Sequence, residues 1–243
     1  MKNKKKSFFY TLIALILATI LFEVTPLDII FQEFFYSRST SSWLIGEDDK
    51  VLRLVFYTSA RILYISLVLF LLFTLIFFRK LDWVKNNYQG LIIVVISCFL
   101  IPVIITLIKN HSHIPCPDQL FIFNGSFKHT GLFEILGEKT FSNYIFAPSF
   151  DRYFPGCFPA GHSSGGFSLL SLLFLFKSPM ARKAVLFFVM VFAWSISFYK
   201  IAVGDHFLSH SLTTMFIAWL MILIIVKVVE YLSRLKDENL HQE

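Results

Sequence analysis

The chain has 243 residues, 56% of them hydrophobic and thirty of them phenylalanine, with a mean hydropathy of +0.67; a soluble globular domain is roughly 45–50% apolar. The formal charge of +6 would suit nucleic acid, but the basic residues stand in short clusters between apolar runs, which is how membrane topology signals look and argues against nucleic acid as a partner. No linker, internal repeat or low-complexity tract divides residues 1–243, so one membrane-embedded domain is expected.

A membrane-spanning helix needs about 20 mostly apolar residues, and six stretches approach that length. In chain order they run from about Ser7 to Thr25, Leu54 to Phe78, Gln89 to Ile108, Ser164 to Phe176, Ala184 to Val203 and Leu212 to Val229. The first follows Lys2, Lys4, Lys5 and Lys6 and could be a signal peptide. It is long and lacks a small-x-small cleavage site, which favours an uncleaved helix. The fourth is short and opens on Gly165 and Gly166. Between the third and fourth lies a long segment from Pro117 to Phe158, rich in aromatics: Phe121, Phe123, Phe127, Phe133, Phe141, Tyr144, Phe146, Phe150, Tyr153 and Phe154. Such a density suggests seating at the headgroup level, and long loops of this kind are often lids. The expected fold is an all-α integral membrane protein, a six-transmembrane-helix bundle with a long extracytoplasmic loop between helices 3 and 4.

Orientation follows from the connecting segments. Lys2 to Lys6, then Arg79, Lys80 and Lys85, then Lys177, Arg182 and Lys183, and finally Arg234 and Lys236 all fall on one side of a six-helix bundle. That side should be cytoplasmic. The opposite side is extracytoplasmic, which is periplasmic if the source is a Gram-negative bacterium, and the expected location is the inner membrane.

The ionisable residues then gather on the extracytoplasmic side. Lys109, His111 and His113 follow the third helix, His162 opens the fourth, and Lys200, Asp205, His206 and His210 lie between the fifth and sixth. A lone lysine there would merely anchor a helix end, but three segments converging point to a wet, polar cavity. In Pro159-Ala160-Gly161-His162-Ser163-Ser164, the Pro-x-Gly turn leads into a helix that Ser163 or Ser164 could cap. Its N-terminal N–H groups would cradle a phosphate, with His162 placed to pass a proton. His206 and His210, four apart, share a helix face and could hydrogen-bond or ligate a metal.

Three segments, Lys109-x6-Cys116-Pro117, Pro159-Ala160-Gly161-His162 and Lys200-x5-His206-x3-His210, resemble the three signatures of the type 2 phosphatidic acid phosphatase superfamily: Lys-x6-Arg-Pro, Pro-Ser-Gly-His and Arg-x5-His-x3-Asp. The resemblance implies a membrane lipid phosphatase. His206 would be the nucleophile forming a phosphohistidine, and His162 the acid for the leaving alcohol. Lys109, Lys200 and the backbone at Gly161 would bind phosphate, with no metal or other cofactor. It also implies a lipid substrate, such as lipid A, a phosphatidic acid-type lipid or undecaprenyl pyrophosphate, and a phosphotransferase would use the same residues.

Four positions depart from the signatures: Cys116 and Lys200 for arginine, Ala160 for serine, and His210 for aspartate. They leave a catalytically degenerate lipid-binding protein as the alternative. A metal-dependent hydrolase with His206, His210 and either His162 or His113 as ligands is another. Arg61, within the second stretch, could snorkel to the interface or turn inward as the missing arginine, and Arg152 is a weaker candidate. Cys98 is expected to be a small buried residue. Cys116 and Cys157 both face the oxidising side and are expected to form a disulfide tying the first signature to the second.

Overall fold

The computed structural model describes residues 2–46, 48–137 and 156–240. Arg152 and the loop aromatics from Phe141 to Phe154 lie outside the described residues.

The chain begins with α1, Lys2–Val24. Pro26 then starts α2, Leu27–Glu33, and an antiparallel pair follows, β1 Tyr36–Ser37 with β2 Ser42–Trp43. Asp49 opens α3, Lys50–Phe77, because its carboxylate accepts from Val51 N and Leu52 N at 3.0 and 2.9 Å. Within α3, residues Leu54–Ser59 widen into a π-helical turn. After α4, Asp82–Asn86, comes α5, Tyr88–Ser112. Pro102 sits inside α5 and has no N–H for the carbonyl of Cys98. The Tyr64 hydroxyl of α3 donates to that carbonyl instead, at 2.7 Å, so the defect in one helix becomes the tie to another. Cys98 is buried.

Beyond α5, the carboxylate of Glu23 accepts from Leu132 N and Phe133 N, at 2.7 and 3.1 Å. It thereby starts α6, Leu132–Gly137. Then come α7, Gly161–Ser168, running into 3-10 turns over Leu169–Phe174, α8, Pro179–Val203, and α9, Leu208–Leu240. Gly204 ends α8 at φ 93°, where a side chain would be strained; a methyl there would also lie 2.4 Å from the Trp43 ring.

Among the described residues, five helices are long and apolar enough to cross a membrane: Lys4–Val24, Lys50–Phe77, Tyr88–Gln119, Pro179–Val203 and Leu208–Lys236. The segment expected as the fourth span is different in kind. It starts at Gly161 rather than Ser164, and its α-helical part is 8 residues, about 12 Å of rise. It packs against α5, α8 and α9, and Ser163, Ser164, Ser168 and Ser171 are buried. Each of these hydroxyls donates to the carbonyl three residues back. Protein rather than lipid surrounds this segment, so its polar groups are satisfied internally. Small residues allow the approach: a methyl on Gly166 would lie 2.9 Å from Ala193 Cα. The core around it holds Ile101, Ile105, Phe167, Leu170, Ala218, Ile222 and Val226.

Long-range contacts mark the two ends of the bundle. At one end Gln32 Nε2 donates to Ile201 O at 2.7 Å and Ser209 N donates to Asp28 at 3.0 Å. At the other, Lys4 pairs with Glu230 and Gln89 Nε2 donates to Ser233 Oγ at 2.6 Å. Replacing Gly166 by valine should overpack the α7–α8 contact and cost about 1–3 kcal/mol. Thermal unfolding of the detergent-solubilised protein would read this as a lowered midpoint, and an unchanged midpoint would refute the close packing.

Candidate active site

The three signature segments meet at the end of the bundle marked by Gln32 and Asp28. Ala160, the N-cap of α7, donates its N–H to His210 O at 3.2 Å. Thr214 Oγ1 is within hydrogen-bond distance of both Ala160 O (3.1 Å) and His210 O (2.9 Å). The start of α7 is therefore fastened to the start of α9. That fastening brings His162 Nδ1 to 3.1 Å from His206 Nε2. The expected serine cap is not formed: Ser163 and Ser164 turn their hydroxyls back to Ala160 O and Gly161 O. The N–H groups at the start of α7 are left without a side-chain cap, as an anion-binding helix end requires.

Above this pair is a cleft of about 440 Å³ between α3, α5, α7 and α8. Tyr57, Arg61, Lys109, Asn110, Gly161 and His162 line its polar end. Ile65, Pro102, Phe192 and Ile196 line the apolar remainder. A methyl built on Gly161 would lie 3.5 Å from Lys109 Cδ, so the lysine stem lies across the bare backbone of the helix start. His206 is 1% exposed. Burial, then the neighbouring His210, His162, Lys109 and Lys200, lowers its pKa well below the ordinary imidazole value. His162 is lowered as well, first by burial and then by Lys200, while Asp205 opposes the shift. Both shifts favour the neutral ring.

Lys200 is not an isolated cation. Its ammonium pairs with Asp205 and lies 4.9 Å from the centre of the Tyr57 ring. The same ring meets His162 edge to face, with centroids 5.5 Å apart. His206 and His210 have ring centroids 5.9 Å apart. Among the described residues they share no hydrogen bond, and Nδ1 of His206 is buried without a hydrogen-bond partner. Among the described residues no group of three His, Cys, Asp or Glu side chains could hold a metal ion. His111 is exposed and its Nδ1 lies 2.7 Å from Leu107 O; neither it nor His113 lines the cleft. Cys116 and Cys157 are disulfide-bonded with Cα atoms 5.2 Å apart, within the usual span of such bonds, and Cys157 N donates to Ile114 O at 2.9 Å.

Three residues at the site escape a reading of the signatures alone. Tyr57 sits on the π-helical turn of α3, a distortion often found at functional sites. Its spacing of four from Arg61 was the available clue. Asp205 adjoins His206 in sequence, but only the fold sets it on Lys200. Asp28 lies far away in sequence, and its pKa is raised to about 6 by burial.

The profile of the PAP2 superfamily matches residues 89–234, more than half of the chain. The chain belongs to the PAP2 superfamily. Neither a curated protein nor a solved structure matches it. PAP2 superfamily members are generally phosphatases acting on phosphorylated substrates. The matched region carries Lys109, His162, Lys200, His206 and His210, whereas Tyr57 and Arg61 reach the cleft from the helix before it. Cys116 stands where the first PAP2 signature has arginine, and it is committed to the disulfide. If the Tyr57 ring holds Lys200 and His162 in place, Tyr57→Leu should lower phosphate release about three- to tenfold, the scale of a cation–π contact. Tyr57→Phe should retain it. Equal losses in both variants would assign the effect to the hydroxyl instead.

Proposed function

We propose that this PAP2 superfamily member is a membrane lipid phosphatase working through a phosphohistidine. The 3.1 Å approach of His162 Nδ1 to His206 Nε2 at the edge of a cationic cleft carries the reading. A phosphoryl group arriving from the cleft would replace this direct contact, parting the two imidazoles so that one attacks phosphorus and the other protonates the leaving oxygen.

His206 Nε2, neutral because the ring is buried among cations, attacks phosphorus. A P–N bond forms as the P–O bond to the lipid breaks, and the leaving oxygen takes a proton from His162. The arriving phosphate brings negative charge that offsets the cations disfavouring protonated His162. Water then attacks phosphorus, giving a proton to His162, and the P–N bond breaks to release inorganic phosphate. Lys109, Arg61 and the uncapped N–H groups at Gly161 surround the phosphate and its developing charge. Lys200 joins them by exchanging Asp205 for phosphate.

The apolar part of the cleft, along Ile65, Pro102, Phe192 and Ile196, suits the acyl portion of a lipid better than a sugar or nucleotide. Arg79, Lys80, Lys85, Arg182 and Lys183 belong to the opposite end of the bundle, which supports an extracytoplasmic site in an inner membrane. Lipid A, phosphatidic acid-type lipids and undecaprenyl pyrophosphate are the substrates to be compared.

One observation favours a second reading, a lipid-binding protein without catalysis. Asp205 already neutralises Lys200, and His210 offers no carboxylate to His206. Phosphate release from a panel of these lipids separates the two. Purified protein should release phosphate from at least one, and His206→Ala should reduce the rate about 10³-fold or more. No release from any lipid would favour the second reading. The pH profile is a further test. A base whose pKa is lowered by burial stays neutral until the pH falls below its ordinary value, so the acid limb of kcat/KM should lie below about 6.5. An acid limb at or above pH 7 would contradict a buried, neutral His206.

A further inference from the structure

At the end of the bundle opposite the histidines, α1 and the C-terminal half of α9 enclose a groove of about 500 Å³, larger than the cleft beside the histidines. We propose that it is a binding site for one anionic diacyl phospholipid of the leaflet on that side. The proposal rests on residence in a membrane and not on the phosphatase reading.

Charge supplies the first argument. Among the described residues, Lys4, Lys5, Lys227 and Arg234 line the groove with one carboxylate, Glu230, which Lys4 already pairs. Leaving Arg234 aside, this described lining is still net positive, and Lys5 and Lys227 are exposed. Basic pockets between helices at a membrane surface select acidic headgroups.

Polarity is ordered in the same sense along both helices. On α1, Lys4 and Lys5 are followed one turn deeper by Phe8 and Phe9. On α9, which runs the other way, Leu223 and Ile224 come one turn before Lys227. Each wall therefore reads cation outward and hydrocarbon inward. A soluble anion would need only the outer half. An amphiphile with its phosphate at Lys5 and Lys227 and an acyl chain against Phe8, Phe9 and Ile224 uses both.

Native mass spectrometry of the full-length protein, equilibrated with equal amounts of phosphatidylglycerol and phosphatidylcholine, tests this. The wild type should retain phosphatidylglycerol at least fivefold over phosphatidylcholine, and Lys5→Gln/Lys227→Gln should bring the two near parity, since each basic residue at an anionic surface contributes roughly a factor of five. Ile224→Trp, which fills the groove without changing its charge, should also lose the retained lipid. Unfolding midpoints equal to wild type show that these variants are folded. Parity in the wild type, or an unchanged preference in the double variant, overturns the proposal. Retention unaffected by Ile224→Trp overturns it as well, leaving a headgroup attracted to surface charge. Because lipid retention is read without catalysis, its failure is distinct from failure of the phosphatase reading.

Discussion

Ala160 N–H donating to His210 O, with Thr214 Oγ1 beside both carbonyls, ties the beginning of α7 to the beginning of α9. His162 stands in α7 and His206 in the turn two residues before α9, and the contact of 3.1 Å between them is sensitive to displacements smaller than a side chain. Long helices sliding in a bilayer would not hold that distance. The hydrogen bonds beside the histidines do, because they are directional and made by buried groups. The disulfide between Cys116 and Cys157 adds a covalent tie from the end of α5 to the segment leading into α7.

The rest of the bundle makes this tie possible by keeping polar groups satisfied at depth. The serine-rich α7 could not face lipid, but inside a ring of α5, α8 and α9 its hydroxyls bond to its own carbonyls. Pro102 opens a gap in α5 that Tyr64 closes from α3. The same stretch of α3 presents Tyr57 and Arg61 to the cleft. One helix thus repairs the bundle and furnishes part of the site.

Charge at the site is balanced and not simply accumulated. Lys109, Lys200 and Arg61 would repel one another in an empty low-dielectric cleft. Asp205 neutralises Lys200, and the Tyr57 ring lies beneath the same ammonium. Lys200 stands where the third PAP2 signature has arginine. An ammonium is a compact point charge where a guanidinium is a planar fork, so Lys200 depends on its neighbours for direction.

Much of this protein was legible in its sequence. Apolar runs marked the long helices, because a bilayer admits little else at that length, and clustered lysines and arginines separated the two ends. The spacing of Lys109, His162, Lys200, His206 and His210 marked a candidate site, because the signatures restrict where such side chains fall. The nature of the segment after Gly161 was not legible: whether a 14-residue serine-containing stretch spans alone or hides among neighbours depends on what surrounds it. The pairing of Lys200 with Asp205, the Tyr57 ring beneath it, the arrival of Arg61 at the cleft and the mutual approach of His162 and His206 were likewise decided only by tertiary structure. Each is a contact between helices remote in sequence, and local periodicity places a residue on a face without saying which helix that face will meet.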